Sequence, residues 1–540
     1  MSNAIKPFPP LLRLVTNNTE IMEEKQNEQS PMADTKREDA EPTFEHAEAV
    51  TSNELPLWQA LRKWRRVTIY CIGLTSAILM YGYDYVIVGT TSSMPSFQED
   101  FGEKYNGKWI LPSLWLGLWN FASPGASMIG AVIGGSFQDW VGRRSSLAVG
   151  SFLSAIGVAI LFVSNKSDDI HVRRVIFLVG KAFQGGAIGI VMATTQTYMS
   201  EVLPPVLRGS ILAFFSVFTL LGQLIGAGVI YACLGISDGY TICFATQWPL
   251  SVVPFVVALI IPESPTYLIR KGRLVEALKA QRRLDSPGMD SEKNVELIRR
   301  NIESERERTR ATYRDCFQGT NLRRTLIVIF ANLLPNIFGL TLLAKASYFA
   351  QVVGMRANLS LMILVIGIFC GFLANLASIW ILSRVGRRPL IIVTLSILSL
   401  LWLSMGISGF WSGQPTVWYT AIVLIFIIMV AGLGVWPCSY AISGETSSLE
   451  LRAKTQGIGW LVAGAATSLF GFVLPYIFNT DQGNLGAKTG FVYTGLCTIG
   501  LVVSFFYIPE MKGRAISEID QMFEERIDAR QFKSWRSPTT

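Results

Sequence analysis

Histidine is almost absent from this 540-residue chain, closely spaced cysteine pairs and nucleotide loops are absent, and charge is sparse. His46 and His171 are the only histidines and lie far apart in polar segments, so neither a histidine metal site nor a Ser-His-Asp triad can be assembled. The seven cysteines are scattered without a C-x-x-C pair, which argues against thiolate metal sites and leaves most of them as small apolar packing groups. A disulfide between Cys233 and Cys243 stays open, with packing thiols the better reading. No G-x-x-x-x-G-K-[ST] loop occurs, so ATP is not expected to drive the protein. No nucleophile, base and orienting group can be combined, which argues against an enzyme, and no cofactor is expected. Charged residues make up 16% of the chain against 50% hydrophobic, a balance suited to a polypeptide solvated by lipid. The formal charge of +8 does not indicate nucleic acid, because the cations sit in short segments between apolar runs. Residues 1–66 lack an apolar h-region and are polar; they are expected to form a disordered cytoplasmic tail, not a signal peptide.

What the chain does contain is a series of apolar runs of roughly 20 residues, each long enough to cross a bilayer as an α-helix. Spans are predicted near 67–90, 111–137, 145–164, 174–198, 210–234 and 245–262, then near 325–350, 359–381, 389–409, 417–443, 455–479 and 488–508. The expected fold is an all-α membrane protein of twelve transmembrane helices in two six-helix pseudo-repeats. Its divisions are an N-terminal tail (1–66), a first bundle (67–262), a central loop (263–324), a second bundle (325–508) and a C-terminal tail (509–540). Within the loop, 275–305 has the composition of a mixed-charge helix. Arg143-Arg144, Arg208, the central loop, Arg384-Arg387-Arg388 and Arg452-Lys454 all fall on one face, which the positive-inside rule assigns to the cytoplasm together with both termini. Arg173-Arg174 on the other face is the exception.

Three motif pairs report an internal duplication. Gly142-Arg143-Arg144 returns as Gly386-Arg387-Arg388, and Glu201 with Arg208 returns as Glu445 with Arg452, each 244 residues later (142 to 386, 201 to 445); Pro262-Glu263 returns as Pro509-Glu510, 247 later (262 to 509). Such a register implies two homologous halves in parallel orientation about an axis along the membrane normal, with a site near the midplane between them.

The segment Gly135-Ser-Phe-Gln-Asp139-Trp-Val-Gly142-Arg143-Arg144 resembles the loop signature between spans two and three of the major facilitator superfamily, with Trp140 where a cation is usual. Tyr198-Met-Ser-Glu201-Val-Leu-Pro-Pro-Val-Leu-Arg208-Gly209, Pro262-Glu263-Ser264-Pro265 and Pro509-Glu510-Met-Lys512-Gly513-Arg514 narrow the resemblance to the sugar porters. Gly82-Tyr83-Asp84, Gly222-Gln223 and Glu445 followed by Leu451-Arg452-Ala-Lys454-Thr look like the fungal α-glucoside and maltose permease branch. The resemblance covers about Val67 to Asp520.

At the basic span ends, Asp139, Gly142, Arg143, Arg144, Glu201, Arg208, Arg387, Glu445 and Arg452 are gate candidates. Their carboxylates and guanidiniums are expected to pair between the bundles when the inner face is closed and to part when it opens. The arginines also have a plainer reading, as topology anchors snorkelling to headgroups. Ser383 replaces the family's loop Asp in the second half. A charge near the bilayer centre is costly and usually functional. Asp84, Lys181 and Lys345 lie at similar depth, roughly 8–10 Å from the outer ends of their spans at about 1.5 Å per residue. The resemblance places Asp84 where proton-coupled sugar porters carry the proton, with Lys181 as its partner. A structural ion pair is the alternative, and for Lys345 snorkelling is.

Solute contacts are less well marked. Ser216 stands where many porters have a glutamine, and the seventh span offers Asn332, Asn336 and Lys345 instead of a Gln-Gln pair. Pro335 and Gly339 are expected to break that span. Gln223, Trp436 and Trp460 complete the substrate candidates, whereas Asn375 and Gln196 look more like glue between helices. The function expected is secondary transport, as proton symport of a sugar or α-glucoside by a plasma-membrane monomer. A non-sugar or exported cargo, or a non-transporting nutrient sensor, are the alternatives.

Overall fold

The computed structural model describes residues 57–105, 107–308, 312–448, 451–512, 514, 516–532 and 534–535. Apart from its last residues, the expected N-terminal tail lies outside them. Among the described residues, twelve helices are long and apolar enough to span a membrane. The first half contains α1 (Arg65–Thr91), α2 (Ser113–Val141), α3 (Arg143–Phe162), α4 (Ile170–Val202), α5 (Pro205–Ala232) and α6 (Gln247–Ile260), the last preceded by a short helix, Gly239–Ala245. In the second half, α7 (Gly319–Ile337) belongs to a crossing that ends at Leu343 and is followed by α8 (Ala346–Val353), while α11 (Gln414–Leu433) and α12 (Val435–Thr446) share one crossing. The remaining helices are α9 (Ala357–Val385), α10 (Arg387–Ser408), α13 (Arg452–Phe478) and α14 (Gly490–Tyr507). The central segment forms helices Pro265–Arg270, Leu274–Leu284 and Ser291–Arg308, and Ile516–Glu524 adds one near the C-terminus. The helical stretch expected at 275–305 is therefore two helices.

The predicted break in the seventh crossing is present. Helix α7 ends at Ile337, and Gly339 takes a left-handed conformation at φ 97°. A Cβ at Gly339 would lie 2.8 Å from the Trp402 ring, so both backbone angle and packing require glycine. Leu340–Leu343 forms one further turn before α8 begins after Lys345.

Within the first half, α1 packs along α5. A Cβ at Gly82 would lie 2.2 Å from the Thr219 carbonyl, and one at Gly222 would lie 2.4 Å from that of Leu79. The two backbones can touch because neither glycine has a side chain, and this contact fixes the turn of α1 that holds Asp84. Between the halves, α2 runs along α13 and α5 along α9.

Candidate functional site

The duplication is built into geometry at the basic end of the bundle. Gly142 joins α2 to α3 at φ 105°, and Gly386 joins α9 to α10 at φ 95°. Beside each turn a carboxylate closes the start of the next helix. Glu263 accepts from the backbone N–H of Arg143 at 2.8 Å, while Glu510 accepts from those of Arg387 and Arg388 at 3.2 and 3.0 Å. These contacts satisfy donors that a helix start leaves open and place a negative charge at its positive end. A Cβ at Gly142 would lie 2.4 Å from Glu263, and one at Gly386 would lie 2.7 Å from Glu510.

The arginines repeat as well. Arg143 donates twice to Glu201, at 3.1 and 2.8 Å, and Arg387 twice to Glu445, at 3.1 and 2.7 Å. Arg143 also pairs with Asp139 at 3.0 Å. Arg144 donates to the Ala258 and Leu259 carbonyls, and Arg388 to that of Phe505. All these pairs lie inside one half, which differs from the expected pairing between bundles. The reason is register: each Glu sits on the same half's fourth or tenth crossing, one helix away from its Arg. Glu445 does not take Arg452, whose Nε is buried with no hydrogen-bond partner among the described residues. The side chain of Arg208 lies outside the described ones. Glu263 and Glu510 were visible in the sequence as repeated motifs, but their capping role rests on contacts across more than a hundred residues.

Asp84 and Lys181 meet as predicted, in a buried ion pair between α1 and α4. Lys181 has no exposure and Asp84 only 6%. The second carboxylate oxygen accepts from Ser123 on α2 at 2.6 Å, a partner the sequence did not single out. One acid thus ties three helices of the first half.

The substrate candidates separate into two sets. Asn332 is committed to its own half, donating to Ser443 at 2.8 Å and to the Val328 carbonyl, and Trp436 is buried against Phe338. Gln223 is buried in α5. At the seam between the halves lie Ser216, which donates to Asn375 at 3.2 Å, and Trp460. The Trp460 ring stacks on Tyr440 and meets Phe215 edge-on, each at 6.1 Å, and Phe215 lies 6.2 Å from Tyr81. This aromatic row joins α1 and α5 to α12 and α13, and Trp460 keeps 39% exposure. At the break of the seventh crossing, Asn336 accepts from Thr341 at 2.8 Å and donates to Thr467 at 3.2 Å. Lys345 is buried without a partner for its Nζ among the described residues.

The halves are tied together at the end opposite the arginines. Ser93 and Ser347 share a buried hydroxyl contact of 2.6 Å; Gln98 donates to Gln351 at 2.9 Å, and Gln351 to the Ser93 carbonyl at 2.8 Å. Tyr348 accepts from the Leu111 amide, Asn479 donates to the Leu111 carbonyl, and Asp481 accepts from the Ser113 amide. Among the described residues no hydrogen bond joins the halves at the basic end. The far end is therefore closed, by mostly neutral groups and the carboxylate of Asp481, none of which carries a periodic signal in the sequence. Arg173 and Arg174 lie at this end, Arg173 pairing with Asp100 at 3.1 Å and the fully buried Arg174 with Glu103 at 2.8 Å. They break the positive-inside pattern at little cost because each charge is already answered.

A family model described as "Sugar (and other) transporter" matches residues 69–523. The chain is 30% identical over 500 residues to "MFS transporter fmqE" of Aspergillus fumigatus, covering 89% of this chain and 92% of that protein. It is 29% identical over 494 residues to a "General alpha-glucoside permease" of Saccharomyces cerevisiae, covering 89% and 79%. A solved structure of the xylose transporter XylE from E. coli, described as partially occluded and inward open, superposes with a TM-score of 0.70 at 16% identity, covering 84% of this chain and all of that one.

Proposed function

Because the chain belongs to the Sugar (and other) transporter family, we propose that it couples the entry of one proton to that of a sugar or α-glucoside by alternating access. The observation that carries this reading is the Asp84–Lys181 pair, which is buried in one half where a single proton can change its charge balance. Protonation of Asp84 frees Lys181 and Ser123 from it, loosening the contact of α1 with α2 and α4. Closure at the far end, with no hydrogen bond between halves at the basic end among the described residues, supports an inward-facing state under the orientation that the basic loops imply. In that orientation both termini are cytoplasmic, the plasma membrane being the proposed site, and residues 67–262 and 325–508 are the two bundles that rock around the seam. The clusters of Arg143, Glu201 and Glu263 and of Arg387, Glu445 and Glu510 then serve the basic gate by exchanging partners when that end closes.

The test is uptake and efflux of a broad solute panel in transporter-deficient cells, with and without a protonophore. Protonophore-sensitive accumulation of sugars or α-glucosides supports the reading. Activity confined to export or insensitive to the protonophore overturns it. One observation favours a different cargo chemistry within the same fold, the buried Lys345 Nζ that has no partner among the described residues.

A further inference from the structure

A lysine inside a membrane protein needs an anion, a path to the headgroups or a reason to be there. Lys181 has the first in Asp84. Lys345 has neither of the first two. The residue is 7% exposed, its Nζ is buried, and nothing accepts a hydrogen bond from it among the described residues. Snorkelling, the plain reading of its position in the sequence, is thereby excluded, because the ammonium does not reach the surface. Its stem is held at the seam between the halves instead. A Cβ placed on Gly89 of α1 would lie 2.8 Å from Lys345 Cγ, so the absence of a side chain at Gly89 makes room for the lysine.

A second feature at the same point also favours negative charge. Lys345 is the residue from which α8 starts, and the first hydrogen bond of that helix runs from the Phe349 N–H to the Lys345 carbonyl at 3.0 Å. The amides of Ala346, Ser347 and Tyr348 are left without intrahelical acceptors at the positive end of a helix that starts just past the seventh span, Gly319–Leu343. Interrupted helices in transporters direct such ends at anionic groups of the solute. Here the helix starts at the same residue whose ammonium is unpartnered, and among the described residues no carboxylate answers either.

We propose that Lys345 and the start of α8 form a subsite for a carboxylate, so that the solute carried is a hydroxylated, sugar-like acid. This rests on the transport reading above and narrows its cargo. The Thr341–Asn336–Thr467 chain, one turn before Lys345, supplies neutral donors and acceptors for hydroxyls. One lysine and one helix end match one negative charge, whereas a phosphate monoester would bring nearly two.

The test uses the purified full-length chain and matched probes: glucose with gluconate, galactose with galacturonate, lactose with lactobionate, and glucose 6-phosphate. Binding is measured in detergent and uptake in proteoliposomes. At least one acid is expected to bind about tenfold or more tightly than its neutral partner, the scale of a charge-assisted hydrogen bond. Lys345→Arg keeps that preference and Lys345→Gln removes it. The thermal midpoint of unliganded Lys345→Gln does not fall, since the change removes an unanswered charge, and this also shows that the variant is folded. Equal binding of acids and neutral sugars, binding of no acid in the panel, preference for the phosphate, or a preference that survives Lys345→Gln each overturns the subsite. Uptake of neutral sugars alone would sink the subsite and leave transport standing. Acid binding without uptake of any probe would sink transport and leave the subsite.

Discussion

At Asp84 a charge that lipid would reject is held by an ammonium and a hydroxyl from two other helices. Removing one member of such a pair strands the other, at a cost of about 3–5 kcal/mol, whereas removing both is nearly neutral. Asp84→Asn and Lys181→Met are therefore each expected to lower the thermal midpoint in detergent, and the double variant to recover most of the loss. Additive losses would show that the two charges are not coupled. Asp84→Asn should in addition abolish accumulation against a gradient, and uphill uptake by this variant would remove Asp84 from the coupling step. The pair was legible in the sequence because ionisable residues inside apolar runs are few. Ser123 was not, since a serine in a membrane helix carries no signal until its neighbour is known. Lys345 was legible as a charge but not as an unanswered one, because the absence of a partner is a three-dimensional fact.

Elements repeat here more faithfully than residues do. The turns at Gly142 and Gly386 share a backbone conformation, a capping carboxylate and an Arg–Glu pair, although Ser383 stands in the second half where Asp139 stands in the first. What the duplication conserves is the means of ending one crossing and starting the next without leaving helix amides bare. Substituting Gly142 or Gly386 by Ala forces a side chain into positive φ and against a carboxylate. Each should destabilise by at least about 1–2 kcal/mol, seen as a lower thermal midpoint, with Glu263→Gln and Glu510→Gln smaller by comparison. A Gly142→Ala protein as stable as the parent would show that the turn relaxes freely. The constant offset of the motifs made this element visible in the sequence. It could not reveal that the arginines pair within a half, because a repeat fixes which positions correspond and not which side chains touch.

For the whole molecule the deciding contrast is between its two ends. At the far end, Ser93, Gln98, Leu111 and Ser113 of the first half meet Ser347, Tyr348, Gln351, Asn479 and Asp481 of the second. These bonds are mostly neutral and individually worth about 1 kcal/mol, a strength suited to a closure that must reopen, since conformers exchanging in a cycle differ by only a few kcal/mol. A covalent bond at the same place would hold the far end shut. Ser93→Cys with Ser347→Cys places two thiols where the hydroxyls now stand 2.6 Å apart. On oxidation this double variant should lose uptake and regain it on reduction, while either single variant is unaffected by oxidant. If the oxidised double variant, with the cross-link verified by mass spectrometry, still transports at the parent rate, the far end need not open and the seam does not work by alternating access. Loss of uptake that reductant reverses would tie the closure seen here to one half of the transport cycle.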